Sequence, residues 1–246
     1  GLGNADKLCF YDIQKAAACS ARRCQDIKAR ECVCVFESMP ELDSFAVGKA
    51  VSSGFILGEY EFIKYKPVDE KRVDIESVKL AVSNELFTEV EKGSQFGESI
   101  ARATCASRNL GNEPSNIITP SYLADVASDI SKRNNLELDI WDREKIISNG
   151  FGLLAAVSRG SKQEPRFIRL SYKNPEAKHT IAMVGKGITF DTGGYNLKPG
   201  GSMDGMKDDM SGAGDVLSAI DCIAQIGAPI NVEALVPTTE NCIGGN

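Results

Sequence analysis

No run of apolar residues in this 246-residue chain approaches the roughly 20 that a membrane-spanning helix requires, so the sequence offers no transmembrane segment. Basic residues are not in excess either. Lys and Arg number 28 against 34 Asp and Glu, a formal net charge of −6. Nucleic-acid binding draws on phosphate neutralisation by clustered cations, and this balance gives it little support. The densest basic stretch, residues 22–30, is interrupted by Asp26 and reads as the solvated face of a helix. The eight cysteines include no Cys-x-x-Cys pair of the kind that builds a structural zinc site. A chain of this length and apolar content has no need of a disulfide scaffold, so free thiols and a reducing compartment are expected. The opening residues, Gly-Leu-Gly-Asn-Ala-Asp, lack the basic start and apolar core of a signal peptide and read as a strand end and turn within a longer chain. Internal repeats and low-complexity segments are absent. Gly-Lys-Gly occurs at 185–187, but no Gly-x-x-x-x-Gly-Lys-Ser/Thr loop accompanies it, which excludes that phosphate cradle.

What is present is an ordinary soluble composition, 42% apolar and 25% charged, in a chain long enough for one large domain or two smaller ones. Residues 11–30 have the alanine-rich composition of a helix, and residues 31–36 read as a short strand whose Cys32 and Cys34 are assigned to opposite faces. A second helix is expected over 44–59, with Phe45, Val51, Phe55 and Ile56 apolar, and a second strand over 77–83. Helix, strand, helix, strand argues for an α/β layer. Residues 86–110 form a long proline-free stretch, the expected linking helix between a first domain (1–85) and a second (111–246).

After a turn-rich breaker at 111–116, Thr119-Pro120 places a cap residue before a proline suited to the first helical turn. The helix it starts is expected to run through Leu123, Val126 and Ile130 to about Lys132. Strands are expected at 136–141, 166–172, 180–184 and 231–236, with helices at 143–148 and 211–226 between them. Apolar strands alternating with helices predict a mixed, largely parallel sheet covered on both faces.

The chemistry concentrates where the 180–184 strand ends, the position at which open α/β sheets bind ligands. Residues 185–199 supply Lys186, Asp191 and Lys198 among glycines that permit tight turns. A second cluster, residues 203–214, brings Asp204, Asp208 and Asp209, the last two just before a helix, where a carboxylate gains from the N-terminal dipole. Carboxylates gathered at strand ends suit divalent metals, and two such ions can activate a water and clamp an oxyanion. A lysine beside them can ligate as a neutral amine or stabilise negative charge as an ammonium. Asp204 and Asp208 read more simply as solvated or helix-capping, His179 as exposed, and Glu240 as a residue near the site without a role in it.

Gly185-Lys186-Gly187, Thr189-Phe190-Asp191-x-Gly193-Gly194, Lys198-Pro199 and Met206-Lys207-x-Asp209-Met210 together resemble the signature of the leucyl (cytosol) aminopeptidase family, over about 25 residues. Residues 112–116, 164–168 and 240–244 resemble flanking segments of the same family. The resemblance implies an N-terminal α/β domain followed by the first part of a mixed α/β/α catalytic domain. It implies a metal-dependent aminopeptidase acting on the N-terminal, leucine-like residue of peptides. Two divalent ions (zinc, manganese or magnesium) would serve each subunit, with Lys186 and Asp209 ligating one and Asp191 bridging both. Lys198 would polarise the scissile carbonyl and stabilise the gem-diolate, and Met206 would line the pocket for the first side chain. It further implies a homo-hexamer, a dimer of trimers, located in the cytoplasm.

Two departures qualify the match. Ser211 stands where the family has glycine. The family's downstream Asn-Thr-Asp-Ala-Glu-Gly-Arg motif, which supplies two further metal ligands and the arginine that holds a bicarbonate, does not occur up to Asn246. The expectation is of part of a longer chain, with a catalytically inactive assembly component as the alternative.

Overall fold

The computed structural model describes residues 7–35, 43–67 and 73–244. The turn expected at the first six residues and the Phe36 end of the first strand lie outside these. The chain divides into two compact units, Gly1–Cys105 and Ala106–Asn246.

The first unit begins with α1 (Phe10–Asp26), whose Ile13, Ala17, Ala21 and Cys24 recur at helical spacing and form one buried stripe. The helix expected to reach residue 30 stops at Asp26. Lys28 turns into left-handed backbone (φ 58°), and the Ala29 amide closes back on the Cys24 carbonyl at 2.8 Å. The Arg22–Arg30 basic stretch is exposed at Arg22, Arg23, Lys28 and Arg30, as its interruption by Asp26 suggests. Helix α2 (Ser44–Glu59) is capped by Asp43, which accepts from the Ala46 amide at 2.6 Å. It approaches α1 backbone to backbone: a Cβ at Gly54 would meet the Gln14 carbonyl at 2.4 Å, and one at Gly58 the Ala18 carbonyl at 2.5 Å. Small residues on α2 are what allow that separation.

Strands β1 (Glu31–Val35) and β2 (Ser77–Ala81) pair in parallel, Cys32 opposite Val78 and Cys34 opposite Leu80. This corrects the assignment of Cys32 and Cys34 to opposite faces. Side chains two apart on a strand share a face; both cysteines pack on the core of the unit while Val33 and Val35 are exposed at 59% and 78%. Cys24 meets Cys32 there, and burial first, then their contact, pushes the Cys24 thiol up. All eight cysteines are free thiols.

Helix α3 (Asn84–Asn112) contains the expected linking stretch and runs across the division between units. In the second unit, Thr119 caps α4 (Pro120–Asn134) by accepting from the Tyr122 amide at 3.2 Å, with Pro120 in the first turn. Then follow β3 (Glu137–Trp141), α5 (Arg143–Ser148), α6 (Gly152–Val157), β4 (Arg166–Tyr172), β5 (Thr180–Val184), β6 (Gly187–Asp191), α7 (Ser211–Gln225) and β7 (Asn231–Asn241). The sheet runs β3-β4-β7-β5, with β6 also on β7. It is mixed: β3, β4 and β7 are successively antiparallel, whereas β5 and β6 lie parallel to β7. Its core joins Leu123, Ala127 and Ile130 of α4 to Ile168 and Leu170 of β4, Leu217 and Ile220 of α7, and Val232, Ala234 and Val236 of β7.

Three local expectations are corrected. The strand ending at residue 236 continues to Asn241, passing through Pro237 opposite Phe167; proline costs a ladder only its own donor. Strand β6 and helix α6 were not foreseen, the first because glycines dominate its surroundings, the second because none of its apolar residues is buried. Strand β5 is not covered on both faces: Ile181 and Val184 are 49% and 69% exposed, and β7 is its one partner among the described residues. Its apolar run marks a parallel pairing, not burial.

Candidate active site

Strand β5 ends at Val184, and Gly185 turns the chain onto the start of α7. A Cβ at Gly185 would meet the Gly212 carbonyl at 2.4 Å, so only glycine lets the two backbones lie together. The Ala213 amide then donates to the Lys186 carbonyl at 2.9 Å. With Lys186 fixed against the beginning of α7, and Asp209 just before that helix, the Lys186 ammonium donates to Asp209 Oδ1. Lys186 is exposed and Asp209 largely buried. Asp209 Oδ2 is buried with no hydrogen-bond partner among the described residues.

The other half of the cluster stands at the end of β6. Asp191 Oδ2 accepts from Lys198 Nζ at 2.9 Å. Its Oδ1 accepts from the Gly193 amide at 2.9 Å and from Asn241 Nδ2 at 2.6 Å. Gly193 takes φ 89°, left-handed backbone that favours glycine, and the loop closes when the Lys198 amide donates to the Thr192 carbonyl at 2.9 Å. That reversal returns Lys198 to Asp191, seven residues earlier. Burial pushes the Asp191 carboxyl up. The bonds from Lys198, Gly193 and Asn241, with the charge of Lys198, outweigh it and hold the carboxyl below its ordinary value. Strand β6 contacts the 3-10 turn Met206–Asp208 that leads to Asp209, so both lysine–aspartate pairs belong to one neighbourhood.

The remaining sequence candidates separate cleanly. Met206 lies half-buried on the 3-10 turn. Asp204, Asp208 and His179 are exposed. Glu240 accepts from Ser161 Oγ at 2.5 Å, which employs it structurally. Ser211, the departure from the family pattern, donates from its hydroxyl to the Asp208 carbonyl at 2.5 Å and so fits the turn it occupies. Two residues escaped the sequence reading. Lys207 Nζ donates to the carbonyls of Gly111 and Asn112 at 3.2 and 2.5 Å, gathering the end of α3 to the turn; its only signal was its place between Met206 and Asp209. Asn241 had no signal beyond the flanking Glu240-Asn241.

Among the described residues, no group of three or more His, Cys, Asp or Glu side chains stands ready to hold a metal. Two carboxylates and a lysine amine are instead the available donors. They suit a divalent cation in one specific respect. A buried carboxylate oxygen without a partner is costly, and Asp209 Oδ2 is such an atom, directed beside an amine that can itself ligate when neutral.

Fold and site thus define an α/β protein of two units, with a lysine–carboxylate cluster at the ends of parallel strands. The chain belongs to the cytosol aminopeptidase family: the family's catalytic-domain model matches residues 105–246, and its N-terminal-domain model matches residues 1–68. It is 37% identical over 253 residues to a probable cytosol aminopeptidase of Alkaliphilus oremlandii, covering all of this chain and 50% of that protein. It is 43% identical over 198 residues to one of Aromatoleum aromaticum, covering 80% of this chain and 39% of the other. Among solved structures, the bottromycin maturation enzyme BotP in complex with Mn superposes with a TM-score of 0.88 at 31% identity, over all of this chain and 51% of that one. The chain therefore spans about half the length of the relatives it matches.

Proposed function

We propose that this chain carries one half of the divalent-cation site of an aminopeptidase, an enzyme that hydrolyses the N-terminal, leucine-like residue from peptides. The observation that carries the reading is the double lysine–aspartate arrangement at the strand ends, with a buried Asp209 oxygen lacking a partner. Lys186 as a neutral amine, Asp209 and Asp191 are the side chains that would hold the cations, zinc, manganese or magnesium, two per subunit. When bound, the cations lower the pKa of water and polarise the carbonyl under attack.

The chain's own residues contribute the rest. Asp191 is kept ionised by its three donors, the state a cation requires. Lys198 donates to the oxygen of the scissile carbonyl as it gains negative charge. Met206, half-buried on its turn, lines the position of the substrate's first side chain. A bicarbonate as general base, a hexameric assembly and a cytoplasmic location complete the proposal by analogy with the family. The likeness to a manganese-containing maturation enzyme supports the choice of cation class and leaves room for a specialised peptide as substrate.

The test is hydrolysis of leucine amide by the protein at its natural length, with manganese supplied and a chelator control. Chelator-sensitive release of leucine is the expected result. No turnover by folded, manganese-supplied protein would overturn the proposal in favour of a non-catalytic assembly component.

A further inference from the structure

Asn241 closes β7 opposite Asp191, at a point where the β6–β7 register shifts. Its side-chain amide donates to Asp191 Oδ1 at 2.6 Å. Its backbone carbonyl accepts from both the amide and the hydroxyl of Thr192, at 2.9 and 2.8 Å. Thr192 Oγ1 in turn accepts from the Gly194 amide at 3.2 Å. A Cβ at Gly194 would come within 3.0 Å of Asn241 Oδ1, so the glycine keeps open the space that Asn241 fills. One residue at the end of β7 thus fastens the loop that runs from Asp191 to Lys198 and also orients the Asp191 carboxylate.

The division of labour on that carboxylate is specific. Oδ1 accepts from two donors, the Gly193 amide and the Asn241 amide, which together employ both of its lone-pair directions. Oδ2 accepts from Lys198 alone among the described contacts. We infer that Asn241 is a positioning residue for cation binding: it saturates Asp191 Oδ1 and so presents Oδ2 as the oxygen offered to a cation. The inference rests on the cation-site reading of Asp191 given above. Partners of ligating carboxylates at this remove characteristically change metal affinity by about 10–100-fold when lost.

The experiment measures manganese affinity by electron paramagnetic resonance of the free ion, on the protein at its natural length. Four variants are compared with the parent: Asn241→Ala, Asn241→Leu, Ser161→Ala and Asp191→Ala. Leucine keeps the size of asparagine without a donor. Ser161→Ala loosens the same end of β7 through its bond to Glu240 and leaves Asp191 untouched. The expected result is a manganese affinity lowered roughly 10–100-fold in both Asn241 variants and unchanged within about twofold in Ser161→Ala. Parent-like affinity in the folded Asn241 variants overturns the inference, and so does an equal loss in Ser161→Ala, which would make Asn241 merely structural. If Asp191→Ala binds manganese as the parent does, the cation-site reading itself falls. That outcome is distinct, because the failure then precedes any effect of Asn241.

Discussion

The ammonium of Lys198 sits 2.9 Å from Asp191 Oδ2, about one quarter exposed, tied to a carboxylate yet open to a substrate. If its task is to meet the oxygen of the scissile carbonyl, Lys198→Ala should lower kcat by about 10²–10³, the usual cost of removing one such donor. Manganese affinity should be undiminished, because the variant frees Asp191 Oδ2 from a competing cation. A loss of manganese binding equal to the loss of turnover would assign Lys198 to the cation site instead. At this scale the sequence was most legible where the residues lie close together in the chain: Lys186, Asp191, Lys198 and Asp209 fall within about 25 residues. Asn241 was not legible, because its contact with Asp191 crosses 50 positions and depends on a register shift in a ladder. Pairing of β-strands leaves no local pattern that would place those two side chains together.

Strand β7 is the element on which the second unit depends, since β4, β5 and β6 all pair with it. Its Glu233 accepts from Ser171 Oγ at 2.5 Å, from Arg169 Nε at 2.9 Å and from Lys173 Nζ at 2.7 Å, all from β4 or its end. Burial pushes this carboxyl up, but those three bonds and the Arg169 charge bring it from 4.5 down to about 2. The bonded form is the ionised one, so its stabilisation is fully present above about pH 4.5 and disappears as the pH falls towards about 2. Glu233→Gln should therefore be less stable than the parent at pH 6, and the difference should narrow on acidification to pH 2.5, as read by denaturant midpoints. A constant gap across that range would mean that the ion cluster does not govern β7.

Elements with a terminal signal were read well. Thr119-Pro120 announces its helix, and β4 and β5 match the expected 166–172 and 180–184. Pairing direction was less legible, because β3, β4 and β7 run successively antiparallel although helices intervene between them in the chain, an alternation that also suits parallel strands. The shared face of Cys32 and Cys34 is legible in the sequence, since residues two apart on a strand point the same way.

At the scale of the whole molecule, each unit has its own core: Ile13, Ala17, Val47 and Phe55 in the first, and the α4–β4–α7–β7 cluster in the second. All the side chains of the candidate site come from the second unit, the part that the family's catalytic-domain model matches. The proposed function depends on Lys186, Asp209 and Asp191 jointly holding a divalent cation. It is tested most directly by anomalous X-ray scattering at the manganese edge, on crystals of the natural-length protein grown with manganese. The expected result is a peak within coordination distance of Asp209 Oδ2 and Lys186 Nζ, with Asp191 Oδ2 in the same cluster. A well-ordered site without such a peak, or manganese bound only elsewhere, would contradict it.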